Sequence, residues 1–401
     1  FLNNFNQKFS AKLLVIQNSF YCMSKILGII GGGQLGMMLT EAAQNLDDIS
    51  KIIVLDPTEN CPAAKVGAQQ IIADFKDEDA IRKLSELSDI ITYEIESGNS
   101  DVLKKLEKYT EINPSPDTLK IIQDKLLQKQ FLKENGIAVA DFEKVENKDE
   151  INEMIDKMGL PLLLKTRRDA YDGRGNYKIN SKSDIDDALD LFTGKSLMVE
   201  KFVKFEKEVS VIAARNTKGE IATYPVVENI HENNILRTTI APGRVSENVK
   251  KQAEEIAEKT MEVLHGAGVF GIEMFVTKDD EILINEIAPR VHNSGHHTLQ
   301  SCDTSQFEQH LRAILGMELG DSSIKSPTIM YNILGPKTFQ GEYNILIKKQ
   351  DNIHLKMYGK LESKPQRKMG HVNIVDKENR GIEELFNQVE DLKKNLVIEP
   401  K

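Results

Sequence analysis

Short apolar runs alternate with stretches of helical spacing over the first hundred residues. KILGII (25–30) reads as a strand, GGGQLG as a turn, MMLTEAAQNL as a helix and KIIVLD as a second strand. QQIIADF, a helix over DEDAIRKLSEL, DIITYEIE and a helix over VLKKLEKY repeat the alternation. The strand runs lack period 2, the mark of a parallel sheet covered on both faces, so residues 23 to 113 are expected to form a doubly wound α/β domain. The preceding residues 1 to 22, FLNNFNQKFSAKLLVIQNSFYC, carry no acid, and MSKILGIIGGG reads as a natural start. They are expected to be an unstructured leader.

NPSPDTLK opens the next unit with prolines and an Asp or Ser cap, and one helix is expected over DTLKIIQDKLLQKQFLKENG, ending on Gly136. The pattern then turns to strands: LPLLLKTRR, GNYKIN, SLMVEKFV, KEVSVIAAR and EIATYPVVENIH. GVFGIEMFVTKDDEILINEIAPR holds two more strand runs about an expected two-residue turn at Asp279 and Asp280.

Composition narrows the class. A chain of 401 residues is long enough for two or three domains, and 40% apolar content suffices for their cores. With 62 acidic against 52 basic side chains, net charge −10, no basic stripe is available for a nucleic-acid backbone. Cys22, Cys61 and Cys302 are few and scattered, as in a reducing compartment. No apolar run reaches the roughly 18 residues of a membrane span, so a cytoplasmic protein with no membrane partner is expected.

Three stretches carry candidate chemistry. Gly31, Gly33 and Gly36 satisfy G-x-G-x-x-G and Asp56 lies 20 residues further on, as in a dinucleotide fold. The physical content is narrower: such glycines let helix N-terminal N–H groups approach any phosphate. RRDAYDGRGN (167–176) reads either as a flap over phosphates or as a plain hairpin. In the Asp279–Asp280 hairpin, Lys278 facing Glu281 places Glu273 opposite Glu286, with Cβ atoms about 4.5 to 5.5 Å apart. Two such carboxylates repel unless a cation lies between them, and hard oxygen ligands point to magnesium. Phe275, Ile282 and Ile284 are expected to be buried around the pair. Behind it, INEIAPRVHNSGHHT brings an arginine and three histidines. His296 and His297 are adjacent and point to opposite sides of an extended segment, so no zinc site with His292 is expected.

GGGQLGMML, TYEIE, the Lys165 strand with YDGRG, VEKFV followed by EVSV, and GIEMF paired with LINEIAPRVHNSGH occur in the order seen in ATP-grasp ligases. With the C-terminal YGK and RKMGHVN, the chain more narrowly resembles the 5-(carboxyamino)imidazole ribonucleotide synthase family, from about Lys25 to Val375. It departs from the family at His297, where relatives often carry Trp or Tyr, and at SGN (97–99), where NV is more usual. The resemblance implies an ATP-grasp fold over 114–320 after the doubly wound domain, then a small β-rich unit over 325–397. It implies a homodimer that uses ATP with magnesium, or manganese in its place, to join bicarbonate to 5-aminoimidazole ribonucleotide.

The site residues it implies are these. Lys125 and Lys165 hold ATP phosphates beneath a flap of Tyr171, Asp172, Gly173, Arg174 and Gly175. Glu200, Lys201, Phe202 and Val203 form a strand edge that reads adenine, with Glu208 on the ribose and Asn285 also at the nucleotide. Glu273 and Glu286 bind the metal, and Arg290, His292 and Asn293 turn toward bicarbonate and the aminoimidazole. Gly33, Gln34, Leu35 and Glu94 line the second nucleotide pocket, with Lys360, Arg367 and Lys368 at its phosphate. Of the rival readings, a nicotinamide oxidoreductase leaves the Glu273/Glu286 hairpin unexplained, and a non-catalytic nucleotide-binding regulator requires a missing lysine or carboxylate. A sister ligase with another acceptor remains.

Overall fold

The computed structural model describes residues 24–169, 175–347 and 350–401, so the expected leader lies outside it. The first strands are β1 (Lys25–Ile30), β2 (Ile49–Leu55), β3 (Gln69–Ile71), β4 (Ile90–Tyr93) and β5 (Glu111–Ile112). They form a parallel sheet in the order β3-β2-β1-β4-β5. Helices α1 (Gln34–Ala43), α2 (Glu78–Leu87) and α3 (Ser100–Leu106) connect them. The doubly wound reading therefore holds. Asp77 and Asn99 cap α2 and α3 by accepting N–H bonds from Ala80 and Val102, so each helix begins where a short polar side chain replaces the missing backbone acceptor.

The single helix expected over 117–136 is two: α4 (Pro116–Ile122) and α5 (Lys125–Glu134). Asp124 breaks it. Its carboxylate accepts the N–H groups of Leu126 and Leu127 and grips Arg167 at 2.9 and 2.6 Å, a better use of the side chain than a place in a helix interior. A four-stranded antiparallel sheet follows, in the order β6-β9-β7-β8, from β6 (Phe142–Val145), β7 (Leu162–Thr166), β8 (Asn176–Ile179) and β9 (Leu197–Lys201). It packs under α6 (Lys148–Met158) and α7 (Ile185–Leu191).

The largest sheet contains β10 (Phe205–Arg215), β11 (Ile221–Thr223), β12 (Val227–Glu232), β13 (Ile235–Ala241), β14 (Gly268–Thr277) and β15 (Ile282–Ala288). The one strand expected over 220–231 is thus split, with Pro225, which has no N–H to give a ladder, between β11 and β12. Helix α8 (Glu247–Val263) covers one face, burying Val249, Ala253, Ala257 and Met261 against Ile272, Met274 and Ile284. The C-terminal strands β16 (Thr328–Leu334), β18 (Ile353–Met357) and β19 (Lys368–Val375) extend the same sheet, since β16 pairs with β13. β17 (Tyr343–Leu346) and β20 (Val397–Pro400) pair apart, and α10 (Ile382–Asn395) buries Leu385, Val389 and Leu392 on the extension. Among the described residues no helix is long and apolar enough to cross a membrane.

His310 on α9 (Gln306–Ile314) joins the first unit to the second. Its Nδ1 accepts the Val269 N–H at 3.0 Å, so Nε2 carries the proton and meets Thr92 Oγ1 at 2.7 Å. Burial pushes its pKa down from 6.5 to about 3, and protonation at Nδ1 would break the Val269 bond. The stability this neutral ring supports is complete above pH 6.5 and declines as the pH falls toward 3. His310→Gln keeps one acceptor and one donor without titrating. Urea titrations from pH 7.5 to 5 should show its stability falling less steeply than wild type, by a difference that grows from near zero at pH 7.5 to about 1.4 kcal/mol per pH unit near pH 5.

Candidate active site

The β14–β15 hairpin fixes the centre. Val276 pairs with Ile282, Phe275 with Leu283 and Met274 with Ile284, after which the register shifts and Glu273 faces Glu286. The turn has three residues, not the two expected: Thr277 N–H bonds Glu281 O at 2.9 Å around Lys278, Asp279 and Asp280, the last at φ +58°. One extra residue in the turn and one in the bulge at Asn285 cancel, so the carboxylates meet as expected. Ile282 and Ile284 point into the core, but Phe275 shares the open face with Glu273 and is only half-buried, its ring stacked at 4.6 Å on Phe205.

The two carboxylates differ. Burial pushes Glu273 up from 4.5 to about 7, with nearby Glu286 and Glu208 adding to the rise and His231 opposing it. Burial also raises Glu286, but Lys125 Nζ at 2.8 Å overcomes it and holds this carboxyl below its ordinary value. Lys125 is the first residue of α5, held there by the Asp124 cap and by its own N–H to Arg167 O at 2.9 Å. The Asp124–Arg167 pair thereby brings β7, and with it Lys165, beside the helix start.

Lys165 and Lys129 both place Nζ 3.1 Å from Glu200 Oε2, with the three side chains 9%, 3% and 1% exposed. Lys129 was not among the expected site residues, although it lies one helical turn after Lys125. Glu200 is not on a strand edge. It pairs with Phe142 on one side and Leu163 on the other, because β9 is interior to its sheet, and Lys201 N–H is taken by Asp141 O. Phe202 N–H is likewise taken, by Pro161 O at 3.3 Å, which leaves Val203, beyond the strand, for the edge role. Glu208 bonds His231 of β12, a second residue that was not expected; burial lowers this imidazole's pKa, and the Glu208 bond more than restores it. Asn285 lends its carbonyl to Lys129 at 3.4 Å. Of the flap, Tyr171, Asp172, Gly173 and Arg174 lie outside the described residues, while Gly175 has φ +87° and accepts the Thr166 N–H at 2.8 Å.

Beyond Pro289 the chain turns toward the first unit. Arg290 pairs with Glu96 at 2.7 Å, His292 Nε2 lies 3.5 Å from Glu273, and the amides of Asn293 and Asn332 bond each other at 3.1 and 2.6 Å. Gln306 clamps the backbone of His292 through N–H and C=O at 2.9 and 2.7 Å. The segment 293–297 is a 3-10 turn, not extended, and His296 and His297 are buried within it against Gln306 and Ser301.

The glycine turn corrects a second expectation. Gly33 N–H bonds Glu94 Oε1 at 2.7 Å and Gly32 N–H bonds Asp56 Oδ2 at 2.9 Å. The protein's own carboxylates occupy the donors that the sequence assigns to a phosphate. Burial pushes Glu94 up to about 7 against the pull of Gly33 N–H and Arg290. Leu35 is core, 6% exposed, whereas Gln34 is half-buried beside the turn. At the C-terminal side Lys65 Nζ bonds Gly359 O at 2.7 Å and so docks the YGK turn on the first unit. Lys360 Nζ donates to Lys368 O at 2.6 Å, and the charge of Lys368 bears on Glu273, His231 and His292. Arg367 is exposed and donates to Glu362 O at 3.2 Å.

A doubly wound unit feeding two sheets, with lysines and facing acids in the cleft between them, is the architecture of an ATP-grasp enzyme, and family models agree. Residues 130–307 match the ATP-grasp domain, 23–123 the ribonucleotide synthetase preATP-grasp domain, and 328–385 the phosphoribosylaminoimidazole carboxylase C-terminal domain. The N5-carboxyaminoimidazole ribonucleotide synthase of Bacillus subtilis is 39% identical over 364 residues, 90% of this chain and 95% of that one. The crystal structure of N5-carboxyaminoimidazole ribonucleotide synthetase from Thermotoga maritima is 42% identical with a TM-score of 0.84, covering 94% of this chain and all of its own. That of the Aspergillus clavatus synthase in complex with ADP and 5-aminoimidazole ribonucleotide is 34% identical with a TM-score of 0.83, covering 92% and 98%. The chain belongs to the N5-carboxyaminoimidazole ribonucleotide synthase family.

The Glu200 triad yields a stability test. Glu200→Gln leaves two buried lysines facing no charge and should lose about 3 to 5 kcal/mol in denaturant unfolding. Lys129→Met keeps the Lys165–Glu200 pair and should lose clearly less. Equal losses would show that Lys165 alone does not hold the carboxylate.

Proposed function

We propose that this chain carboxylates the exocyclic amine of 5-aminoimidazole ribonucleotide with bicarbonate, consuming ATP, through carboxyphosphate. The observation that carries the reading is the position of the Glu273/Glu286 pair, between Lys125 on one side and the Arg290–His292–Asn293 turn on the other. Bicarbonate is a poor electrophile because its charge repels nucleophiles and hydroxide leaves badly. Phosphorylation exchanges hydroxide for phosphate as the leaving group, and an attacking amine then needs to be held near and kept from water.

The residues divide that work. Lys125 and Lys165 neutralise ATP phosphates, Phe202 and Val203 meet adenine, and Glu208 takes the ribose hydroxyls. The flap from Tyr171 to Gly175 excludes water. Arg290, His292 and Asn293 orient bicarbonate, while Glu94 and Gln34 line the ribonucleotide pocket. The facing carboxylates fit a hard cation: they are oxygen donors and one is pushed to about 7 for want of a countercharge. Among the described residues no three His, Cys, Asp or Glu side chains are grouped to hold an ion alone, which suits magnesium or manganese shared with nucleotide phosphates. Such an ion would be held by Glu273 and Glu286 and would supply charge stabilisation to the transferring phosphoryl group. The homodimer belongs to the same proposal, as does a cytoplasmic setting.

Glu286→Gln removes a ligand charge without changing shape. ATP turnover should fall by roughly a hundredfold or more at saturating magnesium, with the fold intact by circular dichroism. Near-normal turnover would remove the pair from the metal site. For the ribonucleotide phosphate, Arg367→Ala should raise the KM for 5-aminoimidazole ribonucleotide by roughly ten- to a hundredfold and leave the KM for ATP unchanged. A shift in the ATP value instead would place the C-terminal unit on the nucleotide side.

A further inference from the structure

Behind the Arg290–Asn293 turn runs a chain of buried hydroxyl and amide groups with no part in the reaction above. Thr239 Oγ1 donates to Asn229 Oδ1 at 2.9 Å, Asn229 Nδ2 to Ser210 Oγ at 2.9 Å, and Ser210 Oγ to Ser294 Oγ at 2.8 Å. Ser294 Oγ lies 2.9 Å from His292 Nδ1. Thr239, Ser210 and Ser294 are fully buried and Asn229 nearly so, so the groups must satisfy one another.

The direction of the chain follows from proton counting. Each hydroxyl has one proton to give. The Asn229 oxygen is taken by Thr239, so its NH2 group faces Ser210. Ser210 then gives its proton to Ser294, and the proton of Ser294 is left for His292. A second donor agrees: the Ser294 backbone N–H, which can only donate, meets the same Nδ1 at 3.3 Å where His292 caps the 3-10 turn. Two donors on Nδ1 make it the bare nitrogen, and the proton of a neutral ring then sits on Nε2. That atom faces Glu273 Oε1 at 3.5 Å, inside the cleft.

We infer that Thr239, Asn229 and Ser210 are positioning residues that lock His292 in its Nε2–H tautomer, so that it serves as a fixed hydrogen-bond donor to an anionic substrate and not as a base. The choice of bicarbonate as that anion rests on the function proposed above; the tautomer does not.

NMR of the full chain labelled with 15N-histidine reads the tautomer directly, the His292 signals being assigned by their loss in His292→Gln. Wild type should show Nε2–H. Asn229→Asp exchanges the donor in mid-chain for an acceptor. Ser210 then turns its proton to the new carboxylate, Ser294 donates to Ser210, and Nδ1 loses its hydroxyl donor. A mixture of tautomers should appear, with the KM for bicarbonate raised roughly tenfold and the KM for ATP held within about twofold. Ser210→Ala breaks the chain without adding charge and should give the same split, so the test survives if Asn229→Asp does not fold. A proton on Nδ1 in wild type, or an unchanged tautomer in Ser210→Ala, overturns the inference. If Nε2–H is found but turnover needs no bicarbonate, the proposed function falls and the tautomer assignment stands.

Discussion

Two carboxylates held opposite each other in a half-buried cleft are the constraint around which the molecule is arranged. Glu273 and Glu286 cannot separate, because the strands that carry them are locked on their other face by Ile272, Met274, Ile284 and Ile287 in one apolar cluster. The neighbouring charges are placed accordingly: Lys125 against Glu286, Lys129 and Lys165 against Glu200, His231 against Glu208, Arg290 against Glu96. Each cation comes from a different element from its acid, so the electrostatics are set by the packing of sheets and helices and not by local flexibility. Dipoles and charges fixed before a ligand arrives need no reorganisation when it reacts.

The third unit completes this cleft and is no appendage. Its first strand continues the sheet of the second, and Asn332 on that strand grips Asn293 directly. Lys65 to Gly359 and Glu41 to Lys356 tie the same unit to the first, while His310 ties the first to the second. The residues around the Arg290–Asn293 turn therefore come from all three parts. A disturbance at any of these joints reaches the turn through a hydrogen-bonded or packed neighbour.

The sequence made most repeating elements plain, because apolar runs and caps are local signals: four of the five strands of the doubly wound unit were read, and the two-residue β5 and the short helix at Pro62–Lys65 were not. The Glu273/Glu286 pair was legible through two errors that cancelled, a turn read one residue short and a bulge not seen. What stayed hidden was long-range. Asp56 and Glu94 reach the glycine turn from the ends of β2 and β4 and take the N–H groups of Gly32 and Gly33, contacts that the spacing of Gly31, Gly33 and Gly36 does not announce. His231, Asn332 and Lys129 carry no motif of their own and gain meaning only from the strand or helix packed opposite. The break at Asp124 followed from a partner, Arg167, that lies 43 residues further on.

Neighbouring carboxyls of the cleft shift in opposite directions, and the number of close cations explains why. Removing a carboxylate from water costs several kcal/mol even after relaxation. One cation about 3 Å away returns about 5 kcal/mol at an effective dielectric of about 20, so a single direct pair just outweighs that cost and two do so clearly. Glu286, with Lys125 at 2.8 Å, and Glu200, with two lysines at 3.1 Å, accordingly stay below the ordinary range. Glu273 has His292 Nε2 at 3.5 Å, but that ring is neutral because burial and the Arg290 charge hold its pKa far down. His231 is engaged with Glu208, and Glu286 adds repulsion. Its carboxyl rises to about 7 for lack of a direct positive partner, and the cleft is thereby left with one acid whose charge is completed by what binds there.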